Sequence, residues 1–133
     1  MLQAKFIFYI PAGLKETDDV KKVEELLDKV KSSYNIKVVK QIINSSEEDQ
    51  IKSQFLWRLS VVKRIGIKQT IRTKSLYPQL VIFNGDVPIT FYPQSYGRED
   101  ISIQEFLEEL LKKRIRCLHD KHEIEEIIMV AKK

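Results

Sequence analysis

The sequence predicts an α/β fold with a mixed four-stranded sheet in the order β-α-β-α-β-β-α, helices on both faces of that sheet and an extra C-terminal helix. Three observations predict this fold. Short runs of aromatic and β-branched residues alternate with segments whose apolar residues recur every three or four positions. An Asn-Gly pair separates two of the apolar runs, which is a strong hairpin signal. A Ser-x-x-Glu pair marks the start of the helix after that hairpin.

The first three elements are predicted to form a β-α-β unit. A continuous apolar run predicts a strand over residues 4–10, buried on both faces and ended by Pro11. A helix follows, with Thr17 or Asp18 as its N-cap. Its apolar residues recur at helical spacing, and they are Val20, Val23, Leu26, Leu27 and Val30. A second strand is predicted over residues 36–43, and the helical connection requires it to lie parallel to the first.

A second helix and a basic segment are predicted next. Ser45 or Ser46 starts the helix, which closes near Gly66. Its apolar positions are Ile51, Phe55, Leu59 and Val62. The segment 63–74 carries five basic residues and no acidic residue. It shows neither helical nor strand periodicity throughout, so we expect its second half to be a loop.

The second half of the chain predicts a hairpin and two helices. Apolar strands over residues 80–83 and 89–92 flank the Asn-Gly pair, and residues 93–97 are expected to form a loop. Ser102 with Glu105 caps the helix that follows. The apolar residues of that helix are Ile103, Phe106, Leu107, Leu110 and Leu111. The tail carries apolar residues beside glutamates and predicts a final helix, which packs on the domain or on a partner.

Length and composition limit the organisation of the chain. Its 133 residues fit one domain over 1–133, with a core at about 4–114 and a C-terminal helical extension at 115–133. The 23 basic and 19 acidic residues give a net charge of +4. One cysteine excludes an internal disulfide and a cysteine-rich zinc module. The apolar run 6–14 lacks the cleavage site of a signal peptide and is too short to span a membrane, so we expect a cytoplasmic protein with no membrane partner.

The order of elements and one segment resemble the thioredoxin-like superfamily over about residues 4–114. The segment is LYPQLVIFNGDV at 76–87, in which a proline leads into a strand and a short glycine turn. The resemblance implies that Pro78 is the cis-proline of that superfamily, which presents an open backbone edge. It also implies a Cys-x-x-Cys or Cys-x-x-Ser motif after the first strand. Residues 11–17 read PAGLKET and contain no cysteine, so the thiol nucleophile is absent there.

The resemblance to this superfamily, together with the absence of the cysteine motif, implies a redox-inactive protein-binding or adaptor module. We expect a protein partner to contact Pro11, Ala12, Gly13 and Leu14, together with Tyr77 and Pro78. The basic insertion before Pro78 is longer than the connection usual in the superfamily and should lie beside this edge. Its Lys68 and Arg72 are therefore included among the expected binding residues.

Two other functions stay open on the sequence. The basic segment 63–74 predicts, as the first alternative, a nucleic-acid or phosphate binder whose affinity falls steeply with salt. The second alternative is a glutathione-using or one-Cys thiol enzyme that depends on Cys117, a thiol between arginines and a histidine. The alternative is that Cys117 has no chemical role and is simply a small apolar residue that is half-buried.

No catalytic residue, metal site or cofactor is predicted. Four glycines cannot assemble a glycine-rich phosphate loop, and no paired carboxylates or Ser-His-acid arrangement stands out. His119 and His122 have a spacing compatible with metal binding, but that spacing is weakly specific.

The tail predicts a possible homodimer. Ile124, Ile127 and Ile128 share one helical face, and if that face is exposed it offers an apolar contact to a second copy of the chain.

Overall fold

The computed structural model describes residues 3–43, 78–96, 99–113 and 121–132. Those residues form an α/β structure with a four-stranded mixed sheet, a two-stranded ribbon and three α-helices. In chain order the elements are β1 (Ala4–Pro11), α1 (Asp18–Ser33), β2 (Lys37–Ile43), β3 (Gln79–Asn84), β4 (Val87–Tyr92), β5 (Gln94–Tyr96), β6 (Glu99–Ile101), α2 (Ile103–Leu111) and α3 (Lys121–Ala131).

The main sheet has the strand order β2-β1-β3-β4. β1 and β2 are parallel, whereas β3 is antiparallel to β1 and β4 is antiparallel to β3. The predicted β-α-β unit is therefore confirmed, since α1 connects two neighbouring parallel strands. In the register, Phe6 of β1 lies opposite Val38 of β2 and Ile82 of β3. Residues opposite one another point to the same face, so this register fixes which side chains meet the helices.

The described helices share one hydrophobic core with a single face of the sheet. Phe6 and Phe8 of β1 and Leu80 of β3 belong to this core and are fully buried. The five apolar residues of α1 that the spacing selects are all buried, which confirms that helix. The helix residues in the core are Val20, Val23, Leu26, Leu27, Val30, Ile103, Phe106, Leu107, Leu110, Ile124, Ile127, Ile128 and Ala131.

The opposite face of the sheet also carries buried apolar side chains. Val81, Phe83 and Phe91 are at most 2% exposed, yet they do not belong to the core that the three helices share. The predicted second helix and the segment 63–74 fall within residues 44–77, outside the described residues. The prediction of helices on both faces of the sheet therefore stays a prediction.

The hairpin between β3 and β4 is confirmed. Its two-residue loop is Gly85 and Asp86, and Asn84 pairs with Val87 across the turn. Gly85 has a φ of +61°, whereas Asp86 keeps a negative φ. A positive φ at the first loop residue alone is the pattern of a type II′ hairpin, which favours glycine there.

Gly85→Ala is expected to lower the free energy of unfolding by about 1 kcal/mol, because an L side chain is strained at positive φ. A Cβ at Gly85 meets no atom within 4 Å, so the loss is conformational rather than steric. Urea unfolding followed by circular dichroism measures the effect. Gly13→Ala is the matched control, since a Cβ there also meets nothing within 4 Å and its φ is not positive. Equal losses in the two variants would contradict this account of Gly85.

Two predictions around β4 are wrong, namely the residue at which β4 begins and the loop predicted after it. β4 begins at Val87 rather than near Ile89, and it includes Pro88. The register shifts between Ile82 and Phe83, so Pro88 lies at a bulge on an edge strand, where the missing backbone N–H is tolerated. The predicted loop 93–97 is partly strand, because β5 pairs with β6 in a short antiparallel ribbon.

The C-terminal helix packs on its own domain. Ile124 is fully buried, and Ile127 and Ile128 are 2% and 5% exposed, all within the common core. The expectation that these residues are exposed for a homodimer contact is therefore wrong. At the end of α3 the backbone N–H of Asn35 donates to the carbonyl of Ala131, which ties the helix to the connection between α1 and β2.

Tyr34 ties the end of α1 to α2. Its hydroxyl donates to the carbonyl oxygen of Leu110 at 3.1 Å, and burial raises the pKa of this phenol above its ordinary value.

Among the helices that the structure describes, none combines the length and the apolar character needed to cross a membrane.

Candidate functional site

A cleft of about 320 Å³ opens at one end of the sheet, where the first turn of α1 approaches the start of α2. We call it the α1–α2 cleft. The described residues that line it are Phe8, Asp19, Val20, Val23, Pro78, Pro93, Ser102, Ile103 and Gln104. They come from five separate parts of the chain, so the cleft exists only in the folded domain.

The turn before α1 sets the position of one wall. After β1, residues Ala12–Leu14 form a single 3₁₀ turn. The backbone N–H of Thr17 and its hydroxyl both donate to the carbonyl of Leu14, at 3.1 and 2.7 Å. Thr17, one of the two predicted N-cap residues, is the N-cap of α1, but its hydroxyl donates back to the preceding turn instead of capping the helix. These bonds fix where α1 begins and place Asp19 at the cleft.

The N-terminal end of α2 forms the other wall. Ser102 is the N-cap, and its hydroxyl oxygen accepts a hydrogen bond from the backbone N–H of Glu105 at 3.0 Å. This confirms the predicted capping pair as the start of the helix. Ile103 turns into the core, whereas Gln104 is half-buried at the cleft. The cap therefore holds an apolar and an amide side chain next to each other in the lining.

Two prolines meet at the cleft because of the hairpin register. Leu80 of β3 lies opposite Tyr92 of β4 in an antiparallel pair. The residues just before Leu80 and just after Tyr92 therefore emerge at the same end of the sheet, and both Pro78 and Pro93 line the cleft. The Tyr92–Pro93 peptide bond is cis. The bond before Pro78 involves Tyr77, outside the described residues, so the cis geometry of Pro78 stays a prediction.

The lining combines an apolar floor with a polar rim. Phe8, Val20 and Val23 are at most 4% exposed and form the inner surface with Ile103. The polar groups in the described lining are the Asp19 carboxylate, the Ser102 hydroxyl and the Gln104 amide. An apolar floor with a few hydrogen-bonding groups suits a ligand that inserts an apolar group and leaves polar atoms at the edge.

The predicted site residues are only partly brought together. Pro78 lines the cleft beside the first turn of α1. Pro11 is the buried end of β1, and Ala12, Gly13 and Leu14 form the turn before α1. None of these four residues is part of the described lining.

Other predicted residues fall outside the described part of the chain. These are Lys68, Arg72, Tyr77, Cys117 and His119. The basic-segment and thiol-enzyme alternatives therefore stay predictions. Within the described ranges, no group of three or more His, Cys, Asp or Glu side chains is placed to hold a metal ion.

The sequence does not identify Pro93, Ser102 and Gln104 as binding residues. It indicates Ser102 only as a helix cap and Pro93 as the start of a loop. One signal was present, since Tyr92-Pro93 repeats the Tyr-Pro dipeptide that ends at Pro78. Comparison with known proteins adds no further assignment, because no family model, curated protein or solved structure matches the chain.

Proposed function

We propose that the chain is a redox-inactive domain of thioredoxin-like architecture that binds a protein partner through the α1–α2 cleft. The observation that carries the proposal is the meeting of Pro78 with the first turn of α1 at an apolar cleft. In the superfamily that the sequence resembles, the thiol motif lies at the start of the first helix, and the cis-proline presents the open backbone edge. Here the segment leading into the helix has no cysteine, which leaves a binding surface without the thiol nucleophile.

The mixed four-stranded sheet is compatible with this architecture. The cleft volume of about 320 Å³ is at the lower end of the range for ligand pockets, which begins at roughly 300 Å³. That space suits one large apolar side chain of an extended peptide better than an extended cofactor. The partner contacts expected from the sequence, at residues 11–14, Lys68, Arg72 and Tyr77, are included in this proposal.

The backbone of a bound segment has hydrogen-bonding partners at the rim. The Gln104 amide offers both a donor and an acceptor, and the Asp19 carboxylate accepts. An apolar anchor held in a pocket with a polar rim is the usual arrangement of a binding hot spot. We therefore expect peptide ligands to share one aromatic or long aliphatic residue rather than a charge pattern.

A random peptide library displayed on phage tests the proposal. The wild-type domain is expected to enrich peptides with a common apolar anchor, and their affinity is then measured by fluorescence polarisation. Gln104→Trp places an indole at the cleft and is expected to weaken this binding by about thirtyfold or more, since hot-spot contacts are worth about 2 kcal/mol or more. Asp19→Trp narrows the cleft from α1 and should act in the same direction.

The matched control is Glu108→Trp, because Glu108 is exposed one turn further along α2 and does not line the cleft. Circular dichroism establishes that all three variants fold. Enriched peptides that bind Gln104→Trp and Asp19→Trp as tightly as wild type would contradict the proposal. So would a library that yields no peptide above the level of an empty matrix.

A further inference from the structure

A second concavity, the basal groove, lies at the end of the sheet away from the α1–α2 cleft. Its volume is about 530 Å³. β1 begins here at Ala4, the hairpin loop closes here at Gly85, and α3 ends here at Ala131. The groove shares no lining residue with the cleft among the described residues, so it is independent of the function proposed above.

Backbone hydrogen bonds hold the walls of the groove in place. The N–H of Gly85 donates to the carbonyl of Gln3 at 2.7 Å, and the N–H of Asn35 donates to the carbonyl of Ala131. These bonds join the hairpin loop to the residue before β1, and the connection between α1 and β2 to the end of α3. The groove is therefore formed before any ligand arrives, which lowers the entropic loss on binding.

Two lysines face this groove from neighbouring strands. Lys5 of β1 and Lys37 of β2 are direct partners in the parallel register, so their side chains project from the same face. Like charges placed opposite each other in a sheet repel. This arrangement is unfavourable unless an anion lies between or beside the two ammonium groups.

The described residues neutralise only one of the two lysines. Lys5 Nζ lies 3.5 Å from Oδ1 of Asp86 and 5.1 Å from the ring centroid of Phe83. Lys37 is exposed, and within the described ranges no carboxylate lies at ion-pair distance from it. Among the described residues, the Lys37 ammonium group of the groove therefore has no counter-ion.

We propose that the basal groove binds the phosphate group of a small organic phosphate monoester. Lysine ammonium groups bind phosphate as compact point charges, and hydrogen bonds between an ammonium group and a phosphate are charge-assisted. The side-chain amide of Asn35 adds a neutral donor to the lining. The groove is larger than a bare phosphate requires, and Val130, which is 59% exposed, offers an apolar surface to the organic part of the ester.

Phenyl phosphate and inorganic phosphate are the two probes, titrated at constant ionic strength and about pH 8, where the phosphate monoester is a dianion. Two-dimensional ¹H–¹⁵N NMR follows the amides of Asn35, Lys37 and Gly85. We expect saturable shifts at these amides, with phenyl phosphate binding more tightly than inorganic phosphate. Lys37→Ala is expected to weaken phenyl phosphate binding by about tenfold, since it removes a charge-assisted hydrogen bond.

Lys40→Ala is the matched control. Lys40 lies on the same strand but on the helix face, where it pairs with Glu24 at 3.2 Å and Asp28 at 3.9 Å. Its loss should leave phenyl phosphate affinity unchanged. Lys37 is exposed, so its replacement leaves the fold intact and the comparison interpretable. Three results would overturn the proposal: no saturable shift, equal weakening in both variants, or inorganic phosphate binding as tightly as the ester.

Discussion

Phe106→Ala is expected to lower the free energy of unfolding by about 3–5 kcal/mol, the usual loss when a buried phenylalanine is truncated. Phe106 is fully buried on α2. Its ring stacks on Tyr92 with a centroid distance of 4.1 Å and an interplanar angle of 13°, and it meets Phe6 at 6.3 Å. The substitution leaves a cavity between α2 and the sheet. Since small domains have about 5–15 kcal/mol of stability in total, much of it would be lost.

Urea unfolding at equilibrium measures this loss, and two further variants separate its causes. Phe106→Leu keeps most of the apolar volume but loses the stacking, which is worth about 0.5–1.5 kcal/mol beyond burial. It should therefore fall between wild type and Phe106→Ala. Glu108→Ala, at an exposed position of the same helix, should change stability by no more than about 0.5 kcal/mol. A Phe106→Ala variant as stable as Glu108→Ala would contradict the placement of this ring in the core.

The parts of the fold that the sequence predicted correctly are those with local signals. The periodicity of α1 identifies its buried face because residues three and four apart lie on the same side of a helix. Ser102 defines the start of α2 through a bond to a residue three positions away. The hairpin depends on Gly85, which supplies a positive φ inside the turn itself. In each case the cause lies within a few residues of the effect.

The boundary errors have a different cause. The predicted strand 89–92 begins just after Pro88, a residue that cannot donate a backbone hydrogen bond to a neighbouring strand. In the fold Pro88 lies at a bulge on an edge strand, where that donor is not needed. β5 is too short to show a periodic pattern, and its conformation depends on pairing with β6. Pairing and edge position are properties of the assembled sheet, so no local pattern reports them.

Among the described residues that line the cleft, only Pro78 is one of the binding residues expected from the sequence. Pro93 and Gln104 reach the same place through the pairing of β3 with β4 and the packing of α2 on the core. Their separation from Pro78 in sequence gave no indication of this proximity. The site is thus a consequence of strand order rather than of any one segment.

Ile124→Ala is expected to lower the free energy of unfolding by about 2–5 kcal/mol, because it removes a fully buried side chain from the common core. An amphipathic pattern shows which residues of a helix share a face, but not whether that face packs on its own domain or on a second copy. Here it packs on its own domain, so the loss should not depend on protein concentration. Thermal unfolding over roughly a hundredfold range of concentration tests this, since dissociation of a dimer would shift the midpoint.

Met129→Ala is the matched control, because Met129 lies on the same helix and is 72% exposed. Its stability should remain within about 0.5 kcal/mol of wild type. A large loss of stability in Ile124→Ala beside a small one in Met129→Ala shows that α3 is part of the core. Similar small losses in both variants indicate that α3 contributes little to the core. If Ile124→Ala is no less stable than Met129→Ala, or if the midpoints of wild type and Met129→Ala rise with protein concentration while that of Ile124→Ala does not, the face of α3 acts between chains and its assignment to the core is wrong.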